Sequence, residues 1–307
     1  MSTVLSVQNM TKFYGPVRAL NEVSFEVPKG SVFGILGPNG SGKTTLLGIV
    51  MDILKPTKGN YLWNGQPGSN EQRKHIGTLL ETPNFYHYLS GQKNLQIAAA
   101  IKERGKEDIP KVLEQVNLFQ RKDSKFSTYS LGMKQRLAIA STLLGNPDIL
   151  VFDEPTNGLD PAGIAEIREL MKELNRQGKT VIMASHILDE VEKVCTHVAI
   201  LQKGILKTVG TVSDVLSATA SGAGNILEIE LLADNVPGLE AILKEMPGII
   251  NIQHIDGVLS LQCDETLTTT AINRYCFEKG IVLGHLNLKR KTLERRFLEI
   301  TGTKSEH

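Results

Sequence analysis

The chain has 307 residues, room for one large domain or about two smaller ones, and its 34 Lys+Arg against 33 Asp+Glu leave a formal charge of +1, so no overall basic field recruits nucleic acid or anionic lipid. With 41% hydrophobic and 22% charged residues it can bury a substantial core, which excludes disorder as the default state. No uncharged apolar run approaches the roughly 18 residues that cross a bilayer, and Met1-Ser2-Thr3-Val4-Leu5 sets no basic region ahead of an apolar one, which predicts a cytoplasmic chain with neither spanning helix nor export signal.

Residues 4–14 and 23–27 alternate in polarity, with Val23, Phe25 and Val27 set against Ser24 and Glu26, and predict antiparallel strands with one wet face. Residues 31–36 (SVFGIL) are almost wholly apolar and run into a glycine-rich turn, after which a helical stretch covers 43–54 and stops before Pro56. Strand, loop and helix in that order open a parallel α/β unit. From 84 to 128 the strand signal fades and helical patterns over 94–103 and 110–118 dominate, so a helical insertion, about residues 84–145, is predicted within the α/β core. A buried strand at 148–152, a helix at 164–177, a strand at 180–184 and a helix at 187–194 follow, and 198–201 with 205–209 close a hairpin across Gln202-Lys203-Gly204. These elements predict a first domain over 1–216.

Residues 217–225 (SATASGAGN) have the small, polar composition of a linker. A second domain is predicted over 226–307: strand 226–232, helix 237–246, strand 249–255, a tight turn at Asp256-Gly257, strand 258–262, helix 266–279, strand 281–287 and a charged terminal helix from about 291 to 300. The β-α-β-β-α-β order is the ferredoxin-like pattern.

Gly37-Pro38-Asn39-Gly40-Ser41-Gly42-Lys43-Thr44, followed by Thr45, fits G-x-x-x-x-G-K-[ST] between a predicted strand and a predicted helix. Glycines let the backbone turn its N–H groups onto α- and β-phosphates at a helix N-terminus, Lys43 neutralises β/γ-phosphate charge, and Thr44 offers a hydroxyl to Mg²⁺. Residues 148–154 end a buried strand on adjacent carboxylates, Asp153 and Glu154. Such a pair alone is as often a loop cap; beside a phosphate loop, Asp153 reads as a Mg²⁺ group acting through water and Glu154 as the group that polarises an attacking water. The three cysteines, with no CxxC spacing, and seven histidines without paired ligand spacing predict neither disulfides nor a zinc site.

In the order and spacing of these motifs, residues 3–216 resemble the ATP-binding subunit of an ABC transporter. Tyr129-Ser130-Leu131-Gly132-Met133-Lys134-Gln135-Arg136 is similar to the family signature, Gly158-Leu159-Asp160 to its D-loop and His186 to its switch histidine, while Tyr14 stands where the family has an aromatic stacked on adenine. By themselves Tyr14 and His186 would read as packing residues. The resemblance implies ATP and Mg²⁺ as cofactors, with Tyr14, the loop from Gly37 to Thr45 and Glu81 around the nucleotide, and Thr44, Asp153 and Glu81 around the metal. It implies catalysis by Glu154 with Lys43 and His186, and a signature (Ser130, Gly132, Met133) presented to the ATP of a second subunit. Two departures stand out: Tyr129, Leu131 and Met133 replace the first, third and fifth residues of the usual Leu-Ser-Gly-Gly-Gln, and Glu81 stands where most members have Gln. Glu81 resembles the branch holding bacitracin-resistance and lantibiotic-immunity ATPases, whose exporters have separate membrane subunits.

The function so implied is MgATP hydrolysis that powers export by a separately encoded membrane permease, with the ATPase working as a head-to-tail dimer with a second copy or a homologous subunit at the inner face of the membrane. Residues 292–302 resemble the terminal helix of such exporter ATPases, and the helical spacing of Leu293, Phe297 and Ile300 predicts core packing. The rival is a soluble ABC ATPase acting on ribosome or nucleic acid. A single ATPase domain, the lack of a long coiled-coil insertion between Thr45 and Ser130 and the near-zero charge weigh against it. A nucleotide-binding scaffold without turnover is disfavoured because Lys43, Asp153, Glu154 and His186 are all present.

Overall fold

The computed structural model describes residues 2–80, 85–217, 226–255, 258–264, 266–289 and 292–302. Its contacts form two compact units, one running to Val215 and resuming at Arg296, the other spanning Leu216–Arg295.

In the first unit the strands are β1 (Thr3–Tyr14), β2 (Val17–Pro28), β3 (Val32–Leu36), β4 (Lys58–Trp63), β5 (Gln66–Pro67), β6 (Ile76–Leu79), β7 (Ile149–Asp153), β8 (Thr180–Ser185), β9 (His197–Gln202) and β10 (Ile205–Thr211). They form one sheet in the order β2-β1-β4-β5 and a second in the order β10-β9-β3-β8-β7-β6. The first is antiparallel, and β1 keeps alternate side chains such as Leu5 and Val7 in the core while its register shifts at several points. The second is parallel from β9 through β6. Its strands β3 and β8 are buried at every position, as expected where helices cover both faces and the sequence reads as an unbroken apolar run.

The helices of this unit are α1 (Lys43–Val50), α2 (Asn70–Lys74), α3 (Gly91–Lys102), α4 (Ile109–Gln115), α5 (Leu131–Leu143), α6 (Pro161–Arg176) and α7 (Leu188–Val194), and the division between the units falls within α8 (Val212–Ser217), after Val215. Helix α1 stops at Val50, short of the predicted 54, because Asp52 turns left-handed (φ 61°) and the Ile53 and Leu54 N–H groups both donate to Gly48 O. The stretch from 58 to 79, unassigned in the sequence, holds three short strands and the five-residue α2, whose Ser69/Gln72 capping box fixes a helix too short to show a period. The predicted helical insertion contains α3, α4 and α5, with Ser90 and Ser130 capping α3 and α5. Trp63, fully buried, donates its indole N–H to Val50 O at 3.0 Å and joins the core built on Phe33, Ile35, Leu46, Ile49, Val151 and Ile182.

The second unit comprises β11 (Ile226–Leu232), α9 (Val236–Lys244), β12 (Ile249–Ile255), β13 (Val258–Asp264), α10 (Thr269–Glu278) and β14 (His285–Lys289). Its sheet is antiparallel in the order β12-β13-β11-β14, the ferredoxin-like arrangement, over a core of Ile229, Leu231, Leu239, Leu243, Leu261, Ile272 and Cys276. The last strand begins at His285 rather than 281: its partner β11 ends at Leu232, which pairs with His285, so Ile281 and Leu283 find no ladder and pack on the core as partly buried side chains. The expected linker, apart from Ser217, and the turn Asp256-Gly257 lie outside the described residues. Helix α11 (Leu293–Thr301) begins on the buried Leu293 of this unit, whereas from Arg296 the chain belongs to the first. There Arg296 is buried with its Nε donating to Val215 O, and Gln202 Nε2 donates to Thr301 O.

Candidate functional site

The phosphate loop follows β3 directly, and its shape demands glycine. A Cβ on Gly37 would sit 2.3 Å from Leu201 O and 2.4 Å from Ser41 Oγ, while Gly42 holds φ 104° with Ala19 O 2.5 Å from the Cβ position. Helix α1 then starts with Gly42 as an N-cap that supplies no side-chain acceptor and with no acidic residue in its first turn, so its leading N–H groups are open to an anion. Ser41 Oγ is buried without a hydrogen-bond partner in the same loop. Lys43 is 5% exposed; its Nζ donates to Gly37 O at 2.8 Å and Pro38 O at 3.3 Å and stands 3.3 Å from Glu154 Oε1. An uncapped helix start, a buried orphan hydroxyl and a buried cation together fit the phosphate chain of a nucleotide.

The carboxylates come from β7 and the histidine from just beyond β8. These strands are parallel neighbours with Asp153 opposite Ala184, so their carboxyl ends deliver residues 153–154 and 185–186 side by side. Glu154 leaves the strand in the left-handed region (φ 48°) with its N–H on Ala184 O. Two successive strand residues would point to opposite faces; the left-handed turn puts Asp153 and Glu154 on one cavity. Glu154 Oε2 lies 2.8 Å from His186 Nδ1 and accepts the His186 backbone N–H at 3.3 Å.

Two cavities meet at Glu154 and Thr44. One, about 490 Å³, is lined by Thr44, Leu79, Leu80, Gln135, Asp153, Glu154 and Asn157. The other, about 570 Å³, is lined by Tyr14, Val17, Arg18, Ala19, the loop from Asn39 to Thr45, Glu154 and Lys203. Tyr14 is 45% exposed there, with Lys12 Nζ 5.0 Å from its ring centroid. The Thr44 hydroxyl and Asp153 carboxylate are hard oxygen donors on one cavity, a set that fits Mg²⁺, which takes one or two protein oxygens and completes its shell with phosphate and water. Among the described residues no cluster of three or more His, Cys, Asp or Glu could hold a metal ion.

The predicted signature stands apart. Ser130, Gly132 and Met133 line neither cavity: Ser130 is exposed at the start of α5 with its Oγ accepting the Met133 N–H at 3.3 Å, and a Cβ on Gly132 would meet nothing within 4 Å. Tyr129, one of the departures, is buried and donates its hydroxyl to Arg121 O at 2.7 Å, where burial raises the phenol's pKa. Asp160 caps α6 by accepting the Gly163 N–H at 3.0 Å. Glu81 lies outside the described residues. Sequence reasoning missed Arg18, Gln135, Asn157 and Lys203 as cavity residues. Gln135 sits five residues into the insertion helix α5 and reaches the site only through packing, and Lys203 gave no sign beyond its place in the hairpin turn.

The family profile described as ABC transporter matches residues 20–157. The ABC transporter ATP-binding protein YhcH of Bacillus subtilis is 40% identical over all of this chain and 98% of its own length. The bacitracin transport ATP-binding protein BcrA of Enterococcus faecalis is 32% identical over 98% of this chain and 97% of its own. Among solved structures, CbiO1 of Clostridium perfringens, part of an ABC transporter complex, superposes with a TM-score of 0.64 at 30% identity over 70% of this chain and 91% of that one.

Proposed function

The chain belongs to the ATP-binding proteins of ABC transporters and is an ATPase of that type; we propose that it hydrolyses MgATP as a head-to-tail dimer to power export by a separately encoded membrane permease. Glu154 polarises the attacking water, Lys43 and His186 hold the γ-phosphate, and Tyr14 stacks on the adenine. Thr44 and Asp153 would hold Mg²⁺, together with Glu81, and the metal would supply neutralisation of the phosphate charge. Catalysis here is positioning and charge stabilisation of in-line water attack. The exporter reading draws on the full-length likeness to the bacitracin transport relative and places the chain at the inner face of the membrane through its permease.

The observation that supports the dimer is the position of Ser130. It stands exposed at the N-terminus of a helix, away from the chain's own phosphate loop, as a group that serves a second copy's ATP would. The test is sedimentation of the Glu154→Gln variant at saturating MgATP. A dimer that Ser130→Arg returns to monomer is the expected result; a monomer that retains full ATP occupancy overturns the composite site.

A further inference from the structure

Behind the site, out of water, lies a polar pair the catalytic roles above do not use. Thr156 Oγ1 donates to Glu190 Oε2 at 2.5 Å, and the two residues are 3% and 5% exposed. The single hydroxyl proton of Thr156 is directed to that carboxyl oxygen, at the short end of the O–H···O range. Thr156 lies two residues past Glu154 and four before Asp160; Glu190 lies four past His186. The two segments that meet in front through His186 and Glu154, where His186 is 36% exposed, are thus joined a second time at the back.

The two sides of this tie are not equally free. Helix α7, which carries Glu190, presses on the backbone of β3: a Cβ on Gly34 would fall 2.7 Å from Val191 Cγ1 and 3.0 Å from Cys195 Sγ. The loop carrying Thr156 turns tightly, with Asn157 N–H on Glu154 O and Leu159 N–H on Thr156 O, and starts from the left-handed Glu154. A non-glycine residue keeps that conformation only where its surroundings hold it.

We propose that Glu190 is a positioning residue for ATP hydrolysis: through Thr156 it anchors the loop between Glu154 and Asp160 to α7 and holds Glu154 in the left-handed turn that faces its carboxylate toward Lys43 and His186. The inference rests on the assignment of Glu154 to the attacking water. A misplacement of about 1 Å at such a group lowers turnover by up to about 100-fold while leaving the phosphate loop intact.

Steady-state ATPase kinetics, nucleotide affinity and thermal melts on the full chain test it. Thr156→Val, isosteric but without the hydroxyl, lowers kcat by about 10- to 100-fold and leaves KM for ATP within about threefold; Thr156→Ser, which keeps the hydroxyl, restores kcat to within about threefold. Thr156→Val also leaves a buried carboxylate unmatched and can destabilise the fold, so the deciding variant is Thr156→Val with Glu190→Met, which removes both polar partners at similar volume and regains stability. A kcat that stays low in the stable double variant supports positioning. A kcat that recovers with stability, a Thr156→Val variant with kcat within twofold of the parent, or a Thr156→Ser variant as impaired as Thr156→Val overturns it. Glu154→Gln is the control: turnover surviving that change faults the assignment of Glu154 and not the tie behind it.

Discussion

Replacing Glu154 by Gln separates the two things its carboxylate does. It removes a charge 3.3 Å from Lys43 Nζ, a pair whose gross attraction at an effective dielectric near 20 is about 5 kcal/mol. Lys43 is buried but Glu154 is 21% exposed, and its solvation, with the desolvation cost of the pair, leaves only about 1–2 kcal/mol of that attraction as a net bias. Glutamine frees Lys43 for phosphate and removes a negative group that repels it, and both changes favour the anionic nucleotide. ATP affinity is therefore expected to rise by about 5- to 30-fold. The amide keeps an oxygen for the His186 N–H and nearly the same volume, so the site's shape is preserved. Turnover moves the other way: loss of a general base costs about 10²- to 10⁴-fold, or about 2.7–5.4 kcal/mol of transition-state stabilisation. Single-turnover phosphate release read beside fluorescent-nucleotide titration measures the two effects in one preparation. A fall in turnover below about tenfold, or a weakened affinity for ATP, would refute the reasoning.

Gly37→Ala drives a methyl into Leu201 O and Ser41 Oγ, contacts of 2.3 and 2.4 Å that the loop can relieve only by moving its own backbone; a loss of about 1–3 kcal/mol in stability and of at least about tenfold in ATP affinity is expected, read by melting with and without nucleotide. Lys102, whose Nζ donates to Ser141 O at the end of α5, has its pKa pushed down to about 8 from 10.5 by burial, with the nearby Arg104 adding to the effect. Between those two values the unfolded chain holds a proton that the folded chain has released, so stability from this group rises with pH through that window and its burial penalty is full below about 8. Lys102→Met should abolish the rise, on the order of 1–3 kcal/mol, in denaturant titrations at pH 7.5, 9 and 10; parallel profiles for the two proteins would show that Lys102 is not the cause.

The sequence alone determined what is local. Eight consecutive residues carry the phosphate loop because its glycines, lysine and hydroxyl act on one turn of backbone and need no distant partner. The strands β11 and β12 begin and end where alternation and apolar content place them, since a half-buried sheet writes its period directly into the chain. What only the tertiary structure decided are relations across long separations: the order β10-β9-β3-β8-β7-β6, the entry of Gln135 and Lys203 into the cavities, and the division of α11 at Arg296. The left-handed turn at Glu154 belongs there too, because nothing in Asp153-Glu154-Pro155 announces it and the contact with Ala184 on the neighbouring strand accompanies it. So does the bond between Thr156 and Glu190, two residues of ordinary polarity 34 positions apart that the sequence leaves among dozens of equals. Periodicity and turn chemistry are properties of neighbouring residues, whereas these pairings depend on which faces of the sheet the crossover helices cover, and no short stretch of sequence carries that choice.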